Sequence, residues 1–308
     1  MQVVYAHTDS LYVPISSIER AKEVREILNK YIQDEIFPNL MGLDDHPMDL
    51  EFEKYYSVLG VGATRNRNAG FINWKDGVHL NEPEFVSTGF AMKRIAESKI
   101  GKEVQKTTVE MWINLKPKEE IIAYTKSMYN NIRLGLVDKL DLVKRSRVKE
   151  NRLKLKCKCK KVYSVDYVRK VLGIVPDSLC EKDNCNSYLK DCTTVEGKRP
   201  VFGGGFAGML YYNEHVKPKD KIDDSFYHFK AKFNSNQIGV FTNWNGDSRR
   251  AEYIAVKTLD EFGPYEPDWN FLAESEVMKK IKPVFEAMSW DLDIVKKDDR
   301  QKDLGEWF

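Results

Sequence analysis

Asp9 stands between two short runs of β-branched and aromatic residues, Val3-Val4-Tyr5 before it and Leu11-Tyr12-Val13 after it. This order is a strand–turn–strand pattern, and it presents the Asp9 carboxylate at a tight turn between two partly buried strands. A rigid hairpin tip is a good place to hold a carboxylate where a metal ion must sit. Spacing alone fits equally a hairpin whose Asp satisfies only its own turn. The five cysteines, Cys157, Cys159, Cys180, Cys185 and Cys192, fall within one segment. Four of the five thiolates could bind a structural zinc ion, although their spacing is not that of paired Cys-x-x-Cys knuckles. Buried, reduced thiols are the alternative. Lys144, Arg145, Arg147, Lys149, Arg152, Lys154, Lys156, Lys158, Lys160 and Lys161 crowd together with Glu150 as the only acid among them. Such a stripe can displace counterions from a nucleic-acid duplex, or it can be a solvated helix face or a lysine-protected strand edge. The run Gly203-Gly204-Gly205 is a weak phosphate-cradle signal, because no Lys-Ser or Lys-Thr follows it.

The elements that must position these groups are legible in outline. Ser16-Ser17-Ile18-Glu19 has the form of a capping box opening a helix to about Phe37, where Pro38 ends it. Leu50 to Tyr56 alternates like a strand, and Phe71-Ile72-Asn73-Trp74, Asp76-Gly77 and Val78 read as a hairpin with an Asp-Gly turn. From Phe85 to about Leu115 the apolar spacing is helical, with Gly101 as a candidate interruption. A further helix is expected from Lys118 to Leu134 and a strand over Ala251 to Val256, and Pro267-Asp268-Trp269-Asn270-Phe271-Leu272 is expected to lead into a helix. With 308 residues there is enough chain for one large or two modest domains. Lys plus Arg number 49 against 47 Asp plus Glu, a balance that neither demands nor excludes nucleic acid. No apolar run reaches the ~20 residues of a membrane span, and no secretory signal is expected at Met1-Gln2-Val3-Val4-Tyr5. The clustered cysteines argue for reduced thiols and a cytoplasmic setting.

The segment Tyr5-Ala6-His7-Thr8-Asp9-Ser10 resembles motif C of family B DNA polymerases, Tyr-Gly-Asp-Thr-Asp-Ser, with His7 where the family has its first Asp. Leu50-Glu51-Phe52-Glu53-Lys54-Tyr55-Tyr56 is similar to the strand that follows motif C. Thr64-Arg65-Asn66-Arg67-Asn68-Ala69-Gly70-Phe71 stands where the family has its Lys-Lys-Arg-Tyr loop, with Asn68 in place of Tyr. Val216-Lys217-Pro218-Lys219-Asp220-Lys221-Ile222 resembles a Pro-Gly-Asp-Lys-Ile turn of the thumb. The last eight residues match the clamp-binding box Gln-x-x-hydrophobic-x-x-aromatic-aromatic at Gln301, Leu304, Trp307 and Phe308. One helical turn would set Leu304, Trp307 and Phe308 on one side as an apolar plug, with Gln301 hydrogen-bonding a separate pocket. Docking of the same aromatics on the chain's own core is the alternative.

The resemblance implies an α+β protein: the C-terminal part of a polymerase palm over residues 1–83, antiparallel strands with a helix, then a mostly helical thumb over 84–300. A basic, cysteine-containing insertion would occupy about 153–199, and a clamp-binding tail 301–308. It implies that Asp9 binds catalytic Mg²⁺; His7, a nitrogen donor, suits that hard ion poorly. Arg65, Arg67, Lys144, Arg145 and Arg147 are expected to contact primer–template phosphates. A large subunit is expected to carry the exonuclease, the fingers and the rest of the palm, joined by dNTP, primer–template DNA and a PCNA-like sliding clamp. The setting is then a nucleoid or a viral replication site of archaeal or viral type. Two other classes stay open: an inactive polymerase relative that tethers DNA or the clamp, supported by His7 and Asn68, and a zinc-dependent adaptor, supported only by the cysteines.

Overall fold

The computed structural model describes residues 2–7, 9–44, 46–63, 66–148, 153–165, 180, 182, 184–188, 191–195, 197, 204–232, 240–242, 248–250 and 252–297. In chain order its elements are β1 (Tyr5–His7), β2 (Ser10–Tyr12), α1 (Ile18–Tyr31), β3 (Lys54–Val61), β4 (Asn68–Lys75), β5 (Val78–Thr88), α2 (Lys99–Ile113) and α3 (Lys118–Arg133). There follow β6 (Lys144–Arg147), β7 (Leu153–Lys156), β8 (Val162–Val165), β9 (Thr193–Thr194), α4 (Gly204–Tyr211), β10 (Ser225–Lys230), β11 (Val240–Thr242), β12 (Ser248–Arg250) and β13 (Tyr253–Val256). Two helices, α5 (Trp269–Ala273) and α6 (Lys279–Ala287), complete the set, joined by a π-helical turn over Glu274–Met278. Every strand pairing among the described residues is antiparallel, so the fold is α+β. Two compact units form: Met1–Phe90 with Thr107–Ile122 and Ile281–Ile294, and Ala91–Lys106 with Ala123–Lys280 and Val295–Phe308. The first unit runs unbroken to Phe90, and two later segments rejoin it.

In the first unit, β3, β4 and β5 form a meander with β4 in the middle. Its central position explains why Ala69, Ile72 and Trp74 are buried. The β4–β5 turn is the one expected: Asp76 and Gly77 both take left-handed backbone, at φ 49 and 88. An Asp-Gly pair tolerates that where other residues would strain. Phe52 stacks on the Trp74 ring at 4.2 Å, and the Lys22 ammonium of α1 lies 5.8 Å from the ring centroid. Ser17 caps α1 by accepting from the Arg20 amide at 3.1 Å. The cap is therefore one residue later than the expected capping box, and Glu19 falls within the first turn rather than at its far side. Pro38 does not end the helix. The chain continues in a wider π-helical path over Ile32–Met41, with Pro38 inside it, and stops at Gly42 with φ 66. A π turn bonds five residues back, so the carbonyl that the proline ring would strike in an α-helix is displaced.

The helical expectation from Phe85 onward fails in its first half. Phe85 and Val86 lie in β5, which runs to Thr88, and α2 begins only at Lys99. Phe85 faces Phe71 across the pair with ring centroids 5.6 Å apart, a cross-strand contact whose apolar residues also happen to fit a helical period.

In the second unit, β10 lies between β6 and β13. Helix α4 covers this sheet, and its glycines explain how closely. A Cβ on Gly205 would stand 2.6 Å from the His228 ring, and one on Gly208 would strike the Tyr253 carbonyl. The glycine run is thus a helix-to-sheet contact surface over its described part, Gly204–Gly205, rather than a phosphate loop. Asn213 fixes the turn after α4 by bonding the Ile222 backbone twice, accepting at 2.6 Å and donating at 2.9 Å. Asp268 caps α5 by accepting from the Phe271 amide at 3.1 Å. Gly208→Ala is expected to lower stability by about 1–3 kcal/mol in denaturant unfolding, although Ala alone favours helix by about 1 kcal/mol. An unchanged or raised midpoint would contradict the contact.

Candidate functional site

Strands β1 and β2 form a two-stranded ribbon in the register Tyr5 to Tyr12, Ala6 to Leu11 and His7 to Ser10. One further bond, Val4 N–H to Tyr12 carbonyl at 3.0 Å, extends it. Asp9 sits in the turn and is exposed, with the Ser10 hydroxyl 3.4 Å from its Oδ1. That long contact leaves the carboxylate oxygens largely available to a ligand. Thr8 and the His7 side chain lie outside the described residues. Tyr5 and Tyr12 rings meet at 5.1 Å, and Tyr12 meets Tyr56 of β3 at 6.1 Å. Burial, then the neighbouring Tyr12, push the Tyr56 phenol up to about 12. These rings hold the ribbon against the β3 strand.

Arg67 is half-buried at the entry to β4, where its carbonyl accepts from Gly62 N–H at 2.8 Å; Arg65 lies outside the described residues. Asn68 is buried within β4 at 5% exposure. In β6 the side chains alternate, Arg145 and Arg147 exposed and Lys144 turned inward. Arg145 lies over the Tyr227 ring at 5.8 Å and donates to the Ser225 hydroxyl at 3.3 Å.

Lys144 belongs to a buried polar network that the sequence reading missed. Glu276 has no exposed side-chain surface. Its Oε1 accepts from Lys144 Nζ at 2.9 Å and from the Ser275 hydroxyl at 2.5 Å, and its Oε2 accepts from the Ser98 hydroxyl. Glu97 in turn pairs with Lys144 at 3.3 Å and with Lys280. Two carboxylates and two ammonium groups therefore neutralise one another, which is what makes their burial tolerable. Burial pushes the Glu97 carboxyl up, but Lys280 and Lys144 outweigh it and hold it below the usual range. Burial lowers Lys144, and Glu276 and Glu97 more than restore it. His228 on β10 bonds the Ser146 hydroxyl through Nε2 at 2.9 Å, and burial followed by the Lys144 charge lowers its pKa to about 4. The available signal was weak: Glu276 directly precedes the apolar pair Val277-Met278, and Glu274 stands two residues before it.

The cysteines converge. The sulfurs of Cys157, Cys159, Cys180 and Cys185 all lie within 4.8 Å of one another, a set that could hold a metal ion. Cys157 and Cys185 sulfurs are 3.5 Å apart, as are those of Cys159 and Cys180, and no disulfide joins any of the five cysteines. The Ser187 backbone N–H and hydroxyl hold the Cys185 thiol down to about 6. The Lys161 N–H lowers Cys159, but desolvation and the neighbouring sulfurs carry it up to about 11. Cys192 is buried and pushed up to about 12, first by burial and then by Cys157. Gln301, Leu304, Trp307 and Phe308 lie outside the described residues, and among those described no helix is long and apolar enough to cross a membrane.

The network sets an acid limit on stability. The Glu97 contribution is complete above the ordinary carboxylate pKa of 4.5 and is lost as pH falls through its lowered value. His228 is neutral in both states above 6.5; below that the unfolded form takes the proton first, so stability falls until about 4. Denaturant unfolding against pH is expected to decline from about 6.5 downward, and His228→Gln to remove the part between 6.5 and about 4. Lys144→Met, which strands Glu276, is expected to cost about 3–5 kcal/mol at pH 7; a loss below about 1 kcal/mol would contradict the pairing. No protein-family model matches this chain, and no curated protein gives a significant match.

Proposed function

We propose that this chain is the small subunit of a split family B DNA-directed DNA polymerase, contributing one palm carboxylate, primer–template contacts, a thumb and a sliding-clamp motif. The observation that carries the reading is the ribbon of β1 and β2 with Asp9 exposed at its turn, in a segment that resembles motif C. Among the described residues the only group of three or more possible metal ligands is the cysteine cluster, so Asp9 needs carboxylates from elsewhere to complete a Mg²⁺ site. In this reading a large subunit supplies them, together with the exonuclease and the dNTP-binding fingers.

Exposed apolar side chains support such a partner. Of 21 exposed large hydrophobic residues among those described, nine fall within the first 48 positions, including Val4, Leu11, Ile27, Tyr31, Leu40 and Met41. A two-stranded ribbon is also marginal by itself and gains from further strands at its edges. Asp9, an exposed oxygen donor, would hold the ion. Magnesium, when bound, would neutralise the triphosphate and ease loss of the primer 3′-hydroxyl proton. Of the cations expected at the primer–template, Arg67, Arg145 and Arg147 would remain to contact phosphates, whereas Lys144 is already neutralised by Glu276 and Glu97. The tail at Gln301, Leu304, Trp307 and Phe308 would bind a PCNA-like clamp. In the same reading the four-cysteine cluster holds zinc as a structural ion outside the reaction.

A second reading, an inactive relative that tethers DNA or the clamp, is favoured by His7 in place of a carboxylate and by the burial of Asn68. Primer extension in Mg²⁺ separates the two. Activity is expected only when this chain is combined with its large subunit, and Asp9→Asn is expected to abolish it. A pair that assembles and binds primer–template but never extends it would favour the tether.

A further inference from the structure

We propose that Cys157, Cys159, Cys180 and Cys185 form a closed tetrahedral zinc centre that folds the segment around β7, β8 and β9, with Cys192 outside it. The proposal deepens the zinc assignment made within the proposed function and is independent of whether the chain polymerises DNA. A Zn–S bond of about 2.3 Å places tetrahedral sulfurs about 3.8 Å apart. The two measured separations, both 3.5 Å, lie close to that value and far from the roughly 2.05 Å of a disulfide. Four thiolates fill all four positions, which leaves no open site for water or substrate and makes the ion structural.

The backbone is shaped to deliver these sulfurs. The first pair sits on the turn between β7 and β8, where Cys157 N–H bonds the Lys161 carbonyl at 2.9 Å and Lys160 N–H bonds the Cys157 carbonyl at 2.8 Å. The second pair sits on a loop closed by Cys180 N–H to the Ser187 carbonyl at 2.9 Å and Cys185 N–H to the Lys182 carbonyl at 3.0 Å. Among the described residues each turn has a left-handed residue that is not glycine, Lys160 at φ 70 and Asn184 at φ 60. A lysine held there costs about 1–2 kcal/mol, which a bound ion offsets. A tetrathiolate zinc centre carries two negative charges, and Lys158, Lys160, Lys161 and Lys182 surround it in sequence; Lys182 Nζ reaches the Cys159 carbonyl at 3.3 Å.

Cys192 is excluded on its own geometry. It is buried, it lies outside the set of mutually close sulfurs, and its thiol donates to the Tyr188 carbonyl at 3.8 Å, a role that requires the proton. It is a small apolar side chain with its one donor satisfied.

The test is metal content of the full chain, purified under reducing conditions without chelator. One zinc per chain is expected, replaceable by Co²⁺ with the thiolate charge-transfer spectrum of a tetrahedral site. Cys192→Ser is expected to keep the full equivalent, and Cys159→Ser and Cys180→Ser to lose it. Two outcomes overturn the proposal: native chain that stays metal-free after incubation with zinc, including one whose cysteines map as the disulfides Cys157–Cys185 and Cys159–Cys180; or loss of zinc in Cys192→Ser. Because native metal content and the Cys192 variant are read directly, misfolding of the ligand variants does not blunt the test. Zinc content and primer extension are separate readouts, so either can fail alone.

Discussion

A carboxylate with no surface in water must have its charge met where it stands, and much of the second unit follows from meeting that of Glu276. The π turn of Glu274–Met278 carries it inward with Ser275 beside it. Ser98 serves twice, accepting from the Gly101 amide at 3.0 Å as a cap for α2 and donating its hydroxyl to Glu276. A Cβ at Gly101 would crowd the Glu276 carboxylate and the Ser98 hydroxyl, so the expected helix interruption is a close contact instead. Lys144 from β6 and Lys280 from α6 supply the positive charge, and Glu97 balances the second of them. A single buried acid thus ties α2, β6 and the α5–α6 run together. Strand alternation then decides which basic residues stay available: with Lys144 turned in, Arg145 and Arg147 turn out.

The first unit poses the opposite problem, a ribbon with too little support. Two strands of three residues make few contacts, and tyrosine rings from Tyr5 through Tyr12 to Tyr56 supply part of the anchor. The exposed apolar residues nearby in sequence give a physical reason to look for a partner. The proposal that a large polymerase subunit fills this role joins those two facts to the sequence around Asp9. It would also supply the carboxylates that Asp9 lacks around it among the described residues.

What could be read in advance divides along physical lines. The Asp76-Gly77 hairpin and the span of α3 are legible because each depends on local chemistry: left-handed turn residues and one apolar helix face. The gathering of the cysteines was legible as a class of chemistry, but only tertiary structure could separate the four that converge from Cys192. The apolar residues at Phe85-Val86 fit both a strand and a helix period, and pairing with β4 decides for strand. Pro38 signals a stop only where the geometry is α-helical, and here the path is π-helical. The Glu276 network was hidden because its partners are scattered over Glu97, Ser98, Lys144 and Lys280, and no local pattern announces a charge that will be buried.

The central claim is that Asp9 touches the catalytic metal ion, and metal rescue tests it most directly. Asp9→Cys, paired with the large subunit on primer–template, would be assayed in Mg²⁺ and then in Mn²⁺ or Cd²⁺, ions that accept sulfur ligands more readily. The account predicts that extension is lost in Mg²⁺ and partly restored by the softer ions, while the native chain shows no such preference. Full extension by Asp9→Cys in Mg²⁺ would contradict it, because a hard ion would then have lost a necessary oxygen donor without consequence.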